Sequence, residues 1–396
     1  MLRLAILFAA LTFARPLAAE TLPSFGDWRT DAPGAHHLVT PQDLPQPYAT
    51  RSAASGPETV PRPAGAIPHA PPGWTVTLVA SGLHEPRTLH PAPGGMLLAE
   101  SGAGRILLLH DGQSETLVSH LDLPYGLALW PLSGPPRFLY VAETSRVVRV
   151  PLTAGTLHPS GPPETIIPPL PQGGHWTRDI AFSPDGAHLY VSIGSQSNVA
   201  SRPEPGRAEI RIYDPDGQNG RPFAQGLRNP VSLAILPDGA LWTTVNERDG
   251  LGDNLPPDYV AHITDGAQFG WPYFYTGPHP DPRIHNPPPG LREQVQTPQI
   301  LIQPHSAPLG VALWRDSLLV ALHGSWNRSQ RTGYKLIRIP LDAGHAPGWY
   351  EDLLTGFVVS DDQVWGRPVG VAVANDGAIW LSEDANGTIW RAAPPP

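Results

Sequence analysis

Short apolar runs recur along the chain, each broken by a turn and then resumed. The clearest begin at Pro86 (PRTLHPAPGGMLLAE), Pro124 (PYGLALWP, then RFLYVAE), Thr177 (TRDIAFSPDGAHLYVSIG), Pro230 (PVSLAILPDGALWTTV), Pro308 (PLGVALWRDSLLVALHG) and Pro368 (PVGVAVANDGAIWLSED). Paired apolar runs around a Pro-Asp-Gly or similar turn predict antiparallel hairpins. Most units add a further strand-like stretch, at 105–109, 147–151, 210–213, 336–340 and 388–391. Successive unit starts lie 38, 53, 53, 78 and 60 residues apart. Units of this size, repeated about six times and unable to bury their faces alone, predict an all-β fold, a six-bladed β-propeller. A strand over 74–78 precedes the first unit and is placed to complete the last blade. No linker interrupts the repeats after Pro72, so residues 73–396 are expected to form the propeller.

Composition sharpens this picture. Charged residues make up 15%, while there are 51 Pro and 40 Gly, which leaves little room for helices. The net charge of -9 argues against nucleic acid or an anionic membrane surface as partner. Residues 1–19 have the form of a secretory signal peptide, with Arg3, an apolar stretch over 4–14 and small residues at 17–19. That stretch is short for a bilayer span, and no other is long enough. Its removal takes Arg3 and Arg15 and shifts the balance to 24 basic against 35 acidic side chains, or -11. With no cysteine, disulfides and thiolate chemistry are excluded. Export without disulfides fits a bacterial periplasm. Residues 20–72, rich in Pro, Ala, Gly and His, predict an extended or poorly ordered lead-in whose His36-His37 pair is solvated.

Candidate chemistry lies in the loops that the blades bring over the central channel. Residues 246–258 gather Asn246, Glu247, Asp249, Asp253, Asn254 and Asp258 with Gly250 and Gly252. Such a loop suits a hard cation, above all Ca²⁺, although it lacks EF-hand spacing and a solvated acidic loop is the plainer account. His175, in GGHWTR just before a strand, is a candidate general base. Arg178, Arg228, Arg328 and Arg367 lie near unit starts or in long loops. Their convergence would call for a polycarboxylate ligand, unless each pairs with a local carboxylate. Trp176, Trp271, Trp326 and Trp365 either stack on a planar ligand or pack the blades. Ser306 and Ser325 sit in no nucleophile elbow, and no P-loop or dinucleotide fingerprint is present.

These stretches resemble one family, the PQQ-dependent soluble sugar dehydrogenases, in particular the glucose/L-sorbosone dehydrogenase-like branch. GGHWTR (173–178), GLRNP (226–230), NERDGLGDNLPPDY (246–259), FGWPYFYTG (269–277), HSAPLG (305–310), ALHGSWNRS (321–329), GYKLIRIP (333–340) and WGRPVGVAV (365–373) carry the resemblance over about 200 residues. It implies PQQ over the channel with a Ca²⁺ that polarises its reactive carbonyl. His175 matches the base that takes the proton of the sugar hydroxyl, and Arg228 the arginine beside the quinone oxygens. Asn229 and Arg367 match further cofactor contacts. Arg328 or His323 would replace a lysine on a PQQ carboxylate, Trp326 would stack nearby, and the carbonyls of Asp249-Gly250 would hold the Ca²⁺. The chain departs at Trp176, where relatives often carry a second histidine, and at Gly174, where glucose enzymes carry an acid.

The resemblance thus implies a periplasmic dehydrogenase of an aldose or sorbosone-type sugar, passing electrons to a cytochrome or a quinone. A non-enzymatic sugar- or protein-binding propeller and a Ca-dependent propeller lactonase are the alternatives.

Overall fold

A computed structural model describes residues 25–342 and 344–395; the expected signal peptide over 1–19 lies outside them. The chain forms six antiparallel blades around a channel. Blades 1 to 3 are built from Pro86–Ala92, Gly95–Glu100, Arg105–His110 and Gln113–Val118; Leu127–Trp130, Phe138–Ala142, Val147–Pro151 and Glu164–Ile167; and Ile180–Phe182, Leu189–Ile193, Glu209–Tyr213 and Arg221–Gln225. Blades 4 and 5 follow with Pro230–Ile235, Leu241–Val245, Asp258–Ile263 and Ile300–Ile302, then Pro308–Trp314, Ser317–Leu322, Lys335–Pro340 and Trp349–Leu354. Blade 6 takes Pro368–Val373, Ile379–Glu383 and Thr388–Ala393 from the C-terminal end. Its fourth strand is Thr75–Ala80, paired antiparallel with Thr388–Ala393, so both ends of the propeller share one sheet. That is the closure the 74–78 stretch foreshadows.

Each blade is covered by a neighbour on both faces, which is why the second strands are unbroken apolar runs and not alternating ones. Leu97 and Leu98, adjacent in sequence, are both fully buried. Leu97 belongs to the core between blades 1 and 2, and Leu98 to the core between blades 6 and 1. Four further cores fill the remaining gaps between blades. Truncating one such leucine to alanine costs about 2–5 kcal/mol, so the ring holds the loops above it on a rigid base.

The lead-in differs from expectation. His36–Leu38 pairs with Trp349–Leu354 as a fifth strand on blade 5, and Glu58–Thr59 runs parallel to Gln363–Val364. His37 is buried, not solvated. Its Nε2 lies 2.9 Å from Asp352, and Lys335 Nζ lies 2.6 Å from Asp31 and 2.8 Å from Asp352. Burial and the adjacent ammonium hold His37 below its ordinary pKa, hence neutral. Composition alone suggested disorder, but the arm supplies the anion that a buried lysine in blade 5 requires. Asp31, His37 and Asp352 cluster closely enough for a metal, yet the Lys335 ammonium already bridges the two carboxylates.

Candidate active site

The connections between second and third strands set the site. They are short in blades 1, 2 and 6 (101–104, 143–146, 384–387) and long in blades 3, 4 and 5 (194–208, 246–257, 323–334). The three long loops stand side by side over one end of the channel. Beneath them Tyr125, Val231, Leu309 and Val369, each directly after the proline that opens its unit, form an apolar plug with Trp176.

His175 enters through Gly173 and Gly174, whose φ values of 78° and 62° suit glycine. A Cβ on Gly174 would lie 2.4 Å from Gln196 O, so the acid that glucose enzymes place there has no room. Behind the ring, a Cβ on Gly194 would lie 2.6 Å from His175 Cβ and 2.2 Å from Asn229 Oδ1. The imidazole Nδ1–H donates to Ser195 O at 2.9 Å, leaving Nε2 as the lone-pair nitrogen. Burial, with the nearby Arg228 guanidinium next in effect, lowers its pKa to about 4. The ring is therefore neutral at physiological pH, as a proton acceptor must be.

Arg228 is buried and bound by the loops of blades 3 and 4 together. Its Nε donates to Asn198 O (3.1 Å), Nη2 to Asn198 Oδ1 (3.0 Å) and Nη1 to Glu247 O (2.7 Å). Asp249 is 3.8 Å away. Asn229 Oδ1 is buried without a hydrogen-bond partner among the described residues. Asp258 ties the wall to blade 5 by accepting from Glu247 N and Ala307 N, both at 2.8 Å. Burial raises its pKa to about 7. A cavity of about 230 Å³ results, lined by His175, Arg228, Glu247, Asp249, His305 and Trp326 among others. Trp326 is 51% exposed, free to cover a planar ligand. A cavity of about 350 Å³ at the other side of the plug is lined by inner-strand residues such as Leu89, Ile180 and Val311 and gathers no arginine.

Blades 5, 6 and 1 contribute a second polar group. His323 Nε2 lies 2.9 Å from Asp384, which also holds Arg87 Nη1 at 2.9 Å. Burial lowers His323 to about 4; despite its own burial, Asp384 stays well below the carboxylate range beside His323 and the two arginines. Arg367 donates to His323 O (3.3 Å) and Gly324 O (3.2 Å). Trp176 packs edge-on against Tyr125 at 5.9 Å with Arg87 5.4 Å from its ring, which accounts for a tryptophan at that departure.

Other expected residues lie elsewhere. Arg328 turns to Gly26 O (2.7 Å) and Asn254 Oδ1 (2.9 Å) and does not line the cavity. Trp365 packs on Phe357 and Trp390 in the core between blades 5 and 6, and Trp271 is buried with Nε1 on Asn198 O. Conversely, Asn198, Arg207, His305 and Asn327 were not singled out. Asn198 sits 51 residues from Asp249 yet accepts its N–H at 2.8 Å; no local pattern marks such a residue. His305 and Asn327 lie inside quoted motifs and were within reach.

The Asp249 carbonyl, expected to face Ca²⁺, accepts from Arg283 Nη1 (2.7 Å) and Asn198 Nδ2 (3.2 Å). Arg283 is in turn held by Asp281 through Oδ1 (2.9 Å) and Oδ2 (2.7 Å). As arranged, this carbonyl does not fit a metal ion, because a guanidinium already supplies the positive charge there.

The TrAA12-like family model matches residues 68–262 and 291–392; the unmatched stretch carries Arg283 and the hairpin Phe274–Tyr275 with His279–Pro280. An uncharacterized protein of Borreliella burgdorferi is 33% identical over 230 residues, covering 55% of this chain and 60% of that protein. A pyrroloquinoline quinone-dependent pyranose dehydrogenase of Coprinopsis cinerea is 28% identical over 283 residues, covering 54% and 39%. The chain thus spans between about two fifths and three fifths of these curated relatives. Among solved structures, a Trichoderma reesei protein of Carbohydrate-Active Enzymes Family AA12 aligns with TM-score 0.71 at 22% identity, over 82% of this chain and 97% of that one. The holo PQQ domain of pyranose dehydrogenase from Coprinopsis cinerea aligns with TM-score 0.70 at 22% identity, over 86% and 100%. These likenesses carry the propeller fold.

Proposed function

The chain belongs to the TrAA12-like family, and from that premise we propose that it is a PQQ-dependent dehydrogenase of a sugar with an oxidisable hydroxyl. The observation that carries this reading is His175, neutral and without a hydrogen bond at Nε2 among the described residues, on a cavity wall shared with the buried Arg228. Arg228 lines the cavity, and Arg178 and Arg207, which do not, donate only to main-chain carbonyls among the described residues, so the field on this side favours an anionic ligand such as a polycarboxylate. Asn229 Oδ1 offers an acceptor, and Trp326 a ring face. Bound there, the quinone would supply the two-electron acceptor that no protein side chain provides.

His175 Nε2 takes the hydroxyl proton, while the Nδ1–H bond to Ser195 O fixes the ring. Arg228, held by carbonyls on three sides, stabilises negative charge developing beside it. Trp326 lines the cavity and would orient the cofactor, whereas Arg367 and His323 are held in the Asp384 group and do not line it. Arg328 serves this site only by bracing the loop against the lead-in. The guanidinium on the Asp249 carbonyl weighs against a Ca-dependent lactonase, and no step is assigned to a metal at Asp249 or Gly250. Residues 1–19 as a signal peptide, 20–72 as an extension and 73–396 as the propeller complete the reading, with export to the periplasm and a cytochrome or quinone as electron acceptor.

Dye reduction by purified protein, with and without added PQQ, across aldoses and ketoaldoses such as sorbosone tests it. Turnover that requires PQQ is expected. A protein that neither shifts the PQQ spectrum nor reduces dye with any sugar is instead a binding propeller.

A further inference from the structure

Arg178 is fully buried and Arg207 nearly so, and neither forms an ion pair with a carboxylate among the described residues. A buried cation left without an anion is costly, and burial lowers the pKa of both. Their partners show what they hold in place. Arg178 Nη2 donates to Pro171 O (2.6 Å), and its Nη1 to His175 O (2.8 Å) and Thr177 O (2.7 Å). Arg207 donates through Nη2 to Gln172 O and through Nη1 to Gly194 O. Gly194 is the residue packed against the His175 side chain. Two guanidinium groups thus grip five carbonyls before, at, after and behind His175.

We propose that Arg178 and Arg207 are positioning residues for His175, clamping its loop through main-chain carbonyls with guanidinium groups that no direct ion pair engages among the described residues. This rests on His175 serving as the base. Rigid attachment of the Gly173-Gly174 segment needs such a clamp, since two successive glycines have no side chains to pack. The choice of carbonyls over carboxylates matters for charge: a paired carboxylate would cancel the field that disfavours the imidazolium. Together with Arg228, the two arginines act on His175 in the same direction as burial, against the Ser195 carbonyl, which favours protonation. The other charged groups around it are committed. Glu247 is bonded to Arg248, Asp249 to Asn327, Asp258 to two main-chain N–H groups, and Glu204, bonded to Gln196 N and Ser197 Oγ, offsets part of the Arg207 charge.

The test is an NMR titration of His175 in the cofactor-free protein, assigned by comparison with His175→Ala, beside the pH profile of dye reduction. Wild-type His175 is expected to stay neutral down to pH 5; titration near 6.5 in the wild type overturns the proposal whatever the variants do. Arg207→Gln removes clamp and charge. It should raise the His175 pKa by about half a unit to one unit and move the acid limb of kcat upward equally. Arg207→Lys keeps the charge and loses the fork, so kcat should fall several-fold with the titration unmoved. If Arg207→Gln lowers only the melting temperature and leaves the titration in place, the residue is merely structural. An NMR shift without any PQQ-dependent turnover would uphold the clamp and sink the dehydrogenase assignment instead.

Discussion

Blades 1, 2 and 6 differ from blades 3, 4 and 5 at one position, the last residue of the second strand or, in blade 2, the one directly after it. In the first group it is a buried glutamate: Glu100, Glu143 and Glu383. Glu100 accepts from His84 N and pairs with Arg105; Glu143 accepts from Asp122 N and pairs with Arg146. Glu383 accepts from Ala385 N, Asn386 N and Thr388 N. Glu383 closes its short turn by satisfying that turn's own N–H groups, whereas Glu100 and Glu143 span theirs by pairing with the arginine beyond it and also tie in an N–H of the preceding connection. In the second group the matching residues are Ile193, Val245 and Leu322. They cannot cap a turn, and the chain leaves in the long loops that build the cavity. The same β-scaffold is therefore sealed on one half and opened on the other, and the chemistry sits where the cap is missing.

The sharpest way to break this comparison is on the open half. His175→Ala should cut dye reduction by about 10²–10⁴-fold while PQQ binding, followed by its absorbance, changes little. For the intact enzyme the pKa of about 4 sets the sign: base remains available as pH falls from 7 to 5 and is lost as it passes through 4. A variant with near-wild-type turnover would remove His175 from the mechanism.

On the sealed half, Glu143→Ala should leave kcat unchanged but remove the buried carboxylate that holds Asp122 N and Arg146. A loss of about 1–3 kcal/mol is expected in a denaturant titration. Unchanged stability would show that the glutamates are not caps. The smallest expected effect separates the two halves by charge. Arg283→Ala should uncover the Asp249 carbonyl and make PQQ affinity respond to Ca²⁺ by a few-fold, whereas the chelator-treated wild type should show no such response. A wild type that loses PQQ on chelation would return the metal to the Asp249-Gly250 loop.

Much of this was legible in the chain. Repeating hairpins report local pairing, so the blade number and the closing strand followed from residues near one another in sequence. His175 and Arg228 were found because each sits at a unit start with distinctive neighbours. The Arg283 contact, the Asn198 bridge and the anchoring of Arg328 on Gly26 were not, because each joins residues far apart in sequence through a main-chain atom that any residue offers. The lead-in was misjudged for a related reason. Its composition speaks to its weak self-pairing, while its order comes from Lys335, Asp352 and the free edge of blade 5.

The most direct measurement is a crystal structure of the protein soaked with PQQ. The account predicts the quinone in the cavity above the plug, within contact of His175, Arg228 and Asn229 and beneath Trp326. Density for PQQ on the far side of the plug, or none with the spectral shift absent, would contradict it.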